Sequence, residues 1–382
     1  NIDSFEVKLK TVKPGSIEEI LVLNILSRDL SLINSKKSME YAGRALDLSV
    51  QNDYKPGVAY AYRNLSNIYV NNDIYFHGMD YVQNALNRFQ TLNDSAGIAD
   101  CYISLAFLYR KLNNFAEELE YHKKSLEIYT RLGNIGRIGV ASHNVAQSYF
   151  SNNDFQNCRK YALMSIGIND SLGQIAVLSS CYKVMGQLEF SSKNYNEAEN
   201  YFIQVLELSE KLGENSQKTA TLEALFDLAL IYKEKNNPDL YLHYLNKANR
   251  YCTRNNFVSK LPDIYNELLL FYSGQNNQEM VQKYVKEYKA AQDTLNAKSL
   301  KDKAELVNNL VLFHNLEKER NFLYQRQKAQ EERIRTIGIV LLLSVILSVV
   351  LAWLILRLQA VIKELKAANK LLLTQKKTIE NQ

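Results

Sequence analysis

Tyr41, Tyr81, Tyr121, Tyr161 and Tyr201 fall forty residues apart. Five residues beyond each stands an aliphatic side chain: Leu46, Leu86, Leu126, Ile166 and Leu206. Six residues ahead of the last four tyrosines is an aromatic (Tyr75, Phe115, Phe155, Tyr195), and each follows a short polar turn, such as NND at 71–73 or SKN at 192–194. A second periodic segment precedes each turn: NLSNIY at 64–69, SLAFLY at 104–109, NVAQSY at 144–149 and VMGQLE at 184–189. After a three-residue slip two more copies follow, ending at Tyr232 and Tyr272, with Tyr244 and Tyr284 as their partners. Such self-similarity predicts a stack of helical hairpins, because one hairpin cannot bury its apolar face without neighbours. Four prolines and fourteen glycines in 382 residues leave long helices uninterrupted. The hydrophobic share of 46% excludes a disordered chain.

The pattern resembles the tetratricopeptide repeat. In that family the first helix carries Leu, a small residue and then Tyr three positions on. Here these are Leu65, Ser66 and Tyr69; Leu105, Ala106 and Tyr109; Val145, Ala146 and Tyr149; Leu228, Ala229 and Tyr232. The second helix carries an aromatic followed by a small residue, matched by Tyr81/Ala85, Tyr121/Ser125 and Tyr161/Ser165. The resemblance covers Ser16 to Leu295 as about seven units, each longer than the usual 34 residues. Ile17 to Val50 forms a degenerate first unit suited to capping. Glu189 stands where tyrosine is expected, and Glu118 and Leu269 stand where small residues are expected. The tyrosine stripe itself reads as core.

The family binds partners on a concave surface lined by first helices. The resemblance places there Tyr60, Arg63 and Asn67; Ile103, Phe107 and Arg110; His143, Gln147 and Phe150; Lys183, Gln187 and Phe190; Phe226 and Lys233. Mixed aromatic and basic groups suit a protein or peptide ligand with some acidic character. No chemistry competes with that reading. His77, His122, His143, His243 and His314 are isolated, and no HExxH, GxSxG, P-loop or GxGxxG motif occurs. His314 lacks the following proline of a phosphoacceptor hairpin and reads as a helix-surface residue. No enzyme, cofactor or metal is expected. Cys101, Cys158, Cys181 and Cys252 read as small buried residues, with a Cys158–Cys181 disulfide as the alternative in an oxidising compartment.

The chain then changes character. Residues 296–336 read as a polar helical linker, and Ile337 to Leu356 carries no charge over twenty residues. At about 1.5 Å per residue this spans roughly 30 Å, the thickness of a bilayer core. Ser344, Ser348 and Ala352 fall four apart, a spacing that lets two membrane helices approach closely. Beyond Leu356 the apolar period becomes seven: Leu358, Leu365, Leu372 and Ile379 align as one seam, predicting a dimeric coiled coil over 357–382. The expected organisation is therefore an all-α solenoid over 1–295, the linker, a transmembrane helix at 337–356 and the coiled coil. Basic residues outnumber acidic ones fifteen to eight over 296–382, whereas 1–295 holds thirty-one against thirty-three, a balance that predicts no nucleic-acid partner.

Orientation is not written in the charges, since six Lys/Arg at 317–336 face five at 357–376. A start at Asn1 without methionine is consistent with a removed signal peptide, and the seam stops mid-pattern at Gln382. This order of parts resembles the sensor half of a bacterial membrane histidine kinase with a periplasmic tetratricopeptide domain. The resemblance implies an inner-membrane homodimer, with the solenoid periplasmic and the coiled coil leading to a cytoplasmic output domain. Two alternatives remain: the sensor half of a membrane-bound transcriptional regulator, and a tail-anchored adaptor without an output domain.

Overall fold

The structure, a computed structural model, describes residues 2–212, 218–255 and 257–380, without the side chains at 298–321, 323–324, 327 and 374–380. The described residues are helical, with no strand. They divide into two units, Asn1–Leu306 and Val307–Gln382.

In the first unit a short helix α1 (Ile2–Thr11) precedes the repeats and was not foreseen from the period. The hairpins follow: α2 (Ile17–Leu30) with α3 (Ser35–Gln51), α4 (Lys55–Asn71) with α5 (Tyr75–Thr91), and α6 (Ser95–Lys111) with α7 (Phe115–Arg131). Then come α8 (Ile135–Ser151) with α9 (Phe155–Ser171), α10 (Ile175–Ser191) with α11 (Tyr195–Leu212), and α12 (Lys218–Glu234) with α13 (Pro238–Asn255). A 3-10 turn at Val258–Lys260 leads to α14 (Leu261–Gly274), whose partner is the start of α15 (Gln278–Glu380). The linker expected from 296 has no separate beginning, because α15 runs through that position unbroken.

The true step is twenty residues. Each helix from α3 to α10 has 17 residues and ends in a three-residue turn. The middle residue of each turn is left-handed: Asp53, Asp73, Asn93, Asn113, Gly133, Asn153, Gly173 and Lys193 all have φ between 48° and 64°. Asn, Asp and Gly tolerate that conformation and so stop a helix at a fixed place. The following N–H closes onto the carbonyl five residues back, as in Asn114 to Tyr109 (2.9 Å) and Asp154 to Tyr149 (2.9 Å). Where the next residue is Asn or Asp, at 94, 114, 134 and 154, its side chain caps the new helix: Asp94 accepts from the Gly97 N–H at 2.9 Å and Asp154 from Asn157 at 3.1 Å, whereas Tyr54, Ile74 and Gln174 make no such cap.

The tyrosines pack onto the core, but of the five spaced forty apart only Tyr81 is buried, while Tyr41, Tyr121, Tyr161 and Tyr201 are half-buried. Stacked pairs recur in five hairpins: Tyr69–Tyr81, Tyr109–Tyr121, Tyr149–Tyr161, Tyr232–Tyr244 and Tyr272–Tyr284, with ring centroids 5.1–5.7 Å apart. Glu189 breaks the series. It is buried, its carboxylate is taken by Arg159 and by Asn194 (2.8 Å), and Tyr201 leans on Tyr182 instead. Small residues set the helix spacing. A Cβ on Gly186 would lie 2.8 Å from the fully buried Phe202 ring, so only hydrogen fits there. Cys101 and Cys181 take the places that Ala61 and Ala141 hold in alternate repeats. All four cysteines are buried and free, so the Cys158–Cys181 disulfide does not form. Burial pushes their thiols up, to about 12 for Cys101, Cys158 and Cys252 and to about 11 for Cys181.

The second unit is the remainder of α15. Within Lys328–Leu373 it is long and apolar enough to cross a membrane by length and composition, and none of that stretch is buried. The large apolar side chains from Ile337 to Leu356 each expose 46–65% of their surface. Ser344 and Ser348 turn their hydroxyls back onto the helix, to the carbonyls of Leu341 (2.7 Å) and Ser344 (2.8 Å). Leu358, Leu365 and Leu372 of the expected seam are exposed, while the side chains of Ile379 and His314 lie outside the described residues.

Candidate functional site

First helices touch first helices: α2 meets α4, α4 meets α6, α8 meets α10, and α10 meets α12. They therefore line the inner surface of the stack, as the resemblance implies. Packing between α6 and α8 is sparse, and the larger cavity opens beside it, with a volume of about 300 Å³. Asn67 and Asn71 from α4, Phe107 and Arg110 from α6, and Asn144 and Gln147 from α8 face it, with His122 of α7 behind them.

Five residues expected on the partner surface, Asn67, Ile103, Phe107, Arg110 and Gln147, thus share one cavity. Asn71 and Asn144 were missed, although each lies one helical turn from an expected residue on the same face. Asn71 gives its amide N–H to the Ser31 carbonyl (3.3 Å) and keeps a buried Oδ1 without a partner.

Below the cavity is a polar cluster that the sequence hid. Glu118 is fully buried and accepts from Arg110, at 2.8 Å from Nε, and from the Ser148 hydroxyl at 2.8 Å. His122 Nδ1 lies 2.7 Å from the Ser148 oxygen. Because the one Ser148 hydroxyl proton goes to Glu118, Nδ1 is the donor, and this tautomer leaves Nε2 as an acceptor. Burial, helped by Arg110 and His143, pushes the His122 imidazole down to about 3. Burial, with Lys183 and Arg110, takes half-buried His143 down to about 4. Both rings are neutral at physiological pH. Arg110 supplies the charge that lets a carboxylate occupy the position of Gly78 and Cys158 in neighbouring repeats.

The expected cationic surface is largely spent inside the protein. Arg63 is buried and paired with Asp100. Against the burial that raises it, Arg63 and the Tyr129 hydroxyl hold the Asp100 carboxyl below the usual range. Lys183 pairs with Glu223 (2.7 Å) and Lys233 with Glu267 (2.7 Å). An acidic ligand would have to displace these partners, so the expectation of acidic character loses its basis. Tyr60 packs edge-on against Phe89 at 4.9 Å and beneath Arg63. Phe150 and Phe190 belong to a second, smaller hollow with Gln187 and Asp227. Among the described residues no group of three His, Cys, Asp or Glu side chains could hold a metal.

Comparison with known proteins agrees with this architecture. A sequence model of the tetratricopeptide repeat matches residues 98–132 and 178–212. No curated protein matches the chain. Among solved structures, the apo form of RapI is 15% identical, with a TM-score of 0.55 over 73% of this chain and 99% of that one. A Rap protein complexed with Competence and Sporulation Factor is 16% identical, with a TM-score of 0.52 over 82% and 94%. A signal transduction ATPase with numerous domains and a tetratricopeptide repeat sensor, from Pyrococcus horikoshii, is 18% identical, with a TM-score of 0.57 over 76% of this chain and 45% of that one. At these identities the likeness is one of fold, and the chain carries tetratricopeptide repeats on a helical-hairpin solenoid.

Proposed function

We propose that the protein is a membrane-anchored receptor whose solenoid binds an extended peptide segment of a partner along its inner surface. The amide wall of the larger cavity carries this reading. Asn67, Asn71, Asn144 and Gln147 each bring one donor and one acceptor group, the complement of a peptide bond, and Phe107 offers a face for a side chain. A fold neighbour complexed with Competence and Sporulation Factor supports capture of a separate partner by such a stack. The apolar stretch of α15 is read as one transmembrane span in a homodimer, paired through Ser344, Ser348 and Ala352 and continued by the Leu358, Leu365, Leu372 and Ile379 seam. On this reading the solenoid is periplasmic, and the bound state is passed to a cytoplasmic output domain of histidine-kinase type.

Two experiments test it. Selection from a random twelve-residue peptide library against the full chain in nanodiscs should yield binders that lose at least tenfold in affinity to Asn67→Ala with Gln147→Ala. Binders indifferent to both changes would move the site off the inner surface. In intact cells, an impermeant thiol reagent should label a cysteine placed at Asn72 and spare one at Lys377. The native thiols are buried and hard to ionise, so they give no background. The opposite labelling would reverse the topology and favour the anchored-adaptor reading.

A further inference from the structure

The smaller hollow, of about 140 Å³, lies between α8, α10 and α12. Phe150, Phe190 and Phe202 wall it, with Leu230, and the Asp227 carboxyl stands among them. The rings are held in place: Phe150 stacks on Phe155 at 5.8 Å and Phe190 leans on Tyr195 at 5.7 Å. Asp227 Oδ2 is buried and has no hydrogen-bond partner, although Gln187, which also lines the hollow, hydrogen-bonds the carboxyl. The cations nearby are engaged elsewhere, Lys183 with Glu223 (2.7 Å) and Lys260 with Asp263 (2.7 Å) and the Phe226 ring. An acid left short of a partner inside aromatic walls is complementary to a desolvated cation, which gains a charge-assisted hydrogen bond and ring contacts together.

We infer that this hollow is a specificity subsite for one basic side chain, Lys or Arg, of the bound peptide, held by Asp227 and by the Phe150 and Phe190 rings. The inference rests on the peptide-binding reading and adds the residue class that the peptide must carry. α8 joins the two sites, giving Asn144 and Gln147 to the amide wall and Phe150 to the hollow, so one extended segment can reach both. Electrostatics agree: burial and Glu223 push the Asp227 carboxyl up to about 7, while Lys260, Lys183 and Gln187 pull it down. An added cation favours the ionised form.

Saturation-transfer NMR on the full chain in nanodiscs, at pH 8, tests the pocket directly. The probes are N-acetyl-arginine methylamide and its uncharged isostere, N-acetyl-citrulline methylamide. The wild type should saturate the arginine probe at least threefold more than the citrulline probe. Asp227→Asn should bring that ratio to about one without loss of helicity, and Phe190→Leu should lower it. A wild-type ratio near one, or a ratio that survives Asp227→Asn, would overturn the subsite. The peptide library separates the two readings. Binders enriched in Lys or Arg at one position, with the enrichment lost in Asp227→Asn, support both. Binders without a basic position sink the subsite and leave the peptide reading standing. A discriminating arginine probe with no peptide selected sinks the peptide reading and leaves the cation pocket.

Discussion

The two units of this protein share one secondary structure and follow opposite rules. In Asn1–Leu306 a left-handed residue stops the helix every twenty positions over 53–193, and each first helix hides most of its apolar side chains against neighbours. In Val307–Gln382 the helix never stops within the described residues, and its large apolar side chains between Ile337 and Leu356 stay about half exposed. Apolar content alone therefore does not decide burial. Periodicity sends a side chain toward another helix, and its absence leaves the whole circumference apolar and uncovered.

The sharpest way to break this comparison is to ask whether α15 acts as one body beyond the solenoid. Cysteines at Ser348 and Leu365 should each cross-link two copies, whereas one at Lys363, on the far side of the heptad, should not. Inserting four residues after Arg357 should uncouple the two cross-links, because four is not a multiple of seven, and inserting seven should restore them. Equal behaviour of the two insertions would make the helix a tether.

Next in size is burial itself. Phe202→Ala removes a fully buried ring and should cost about 3–5 kcal/mol of solenoid stability. Leu347→Ala, at a side chain 62% exposed, should leave the solenoid's stability unchanged within about 0.5 kcal/mol. A comparable loss from both, followed by circular dichroism, would mean that the second unit supports the first.

A third test is the response to acid between pH 6.5 and 5, above the ordinary carboxylate range. His122 and His143 titrate below this window when folded and at about 6.5 when unfolded. The unfolded chain thus takes up protons the fold refuses, and stability falls as pH falls. Asp227, pushed up to about 7 when folded, works in the other direction. Each group contributes up to about 1.4 kcal/mol per pH unit, so the wild type should lose about that amount per unit, net. Asp227→Asn should roughly double the slope, and His122→Gln should nearly flatten it. Denaturant titrations at three pH values would read this, and an unchanged slope in either variant would refute the assignment.

The smallest expected effect lies at a turn. Lys193 adopts φ 62° where Gly133 and Gly173 stand in other turns. Lys193→Gly should stabilise the solenoid by about 0.5–1 kcal/mol in thermal melts. A loss would mean that the lysine stem packs better than its backbone strain suggests.

Much of this was legible in advance because it is local. The forty-residue tyrosine period, the aliphatic five residues on and the Asn-rich turns mark the hairpins. The sequence reading nevertheless took in only half of the turn signal. Asn93, Gly133 and Gly173 punctuate the chain between hairpins just as Asp73, Asn113 and Asn153 do within them, and their twenty-residue spacing was there to be read. The departures at Glu118 and Glu189 were visible as departures, but their partners were not. Arg110 lies eight residues from Glu118, Ser148 lies thirty, and Arg159 lies thirty before Glu189.

The sequence by itself determined where each helix ends, which face of it is apolar, and that one stretch is long enough to cross a bilayer. These follow from backbone conformation and side-chain spacing within a single helix. Only the tertiary structure decided which polar groups meet. Arg63, Lys183 and Lys233 look alike on a helical face, and each is neutralised by an acid 34 to 40 residues away, on the next first helix. Whether two such groups touch depends on how one hairpin is turned against the next. That rotation is set by the summed packing of many small side chains, and no single residue announces it. The same rotation leaves the amides around Arg110 lining an open cavity and Asp227 Oδ2 without a partner.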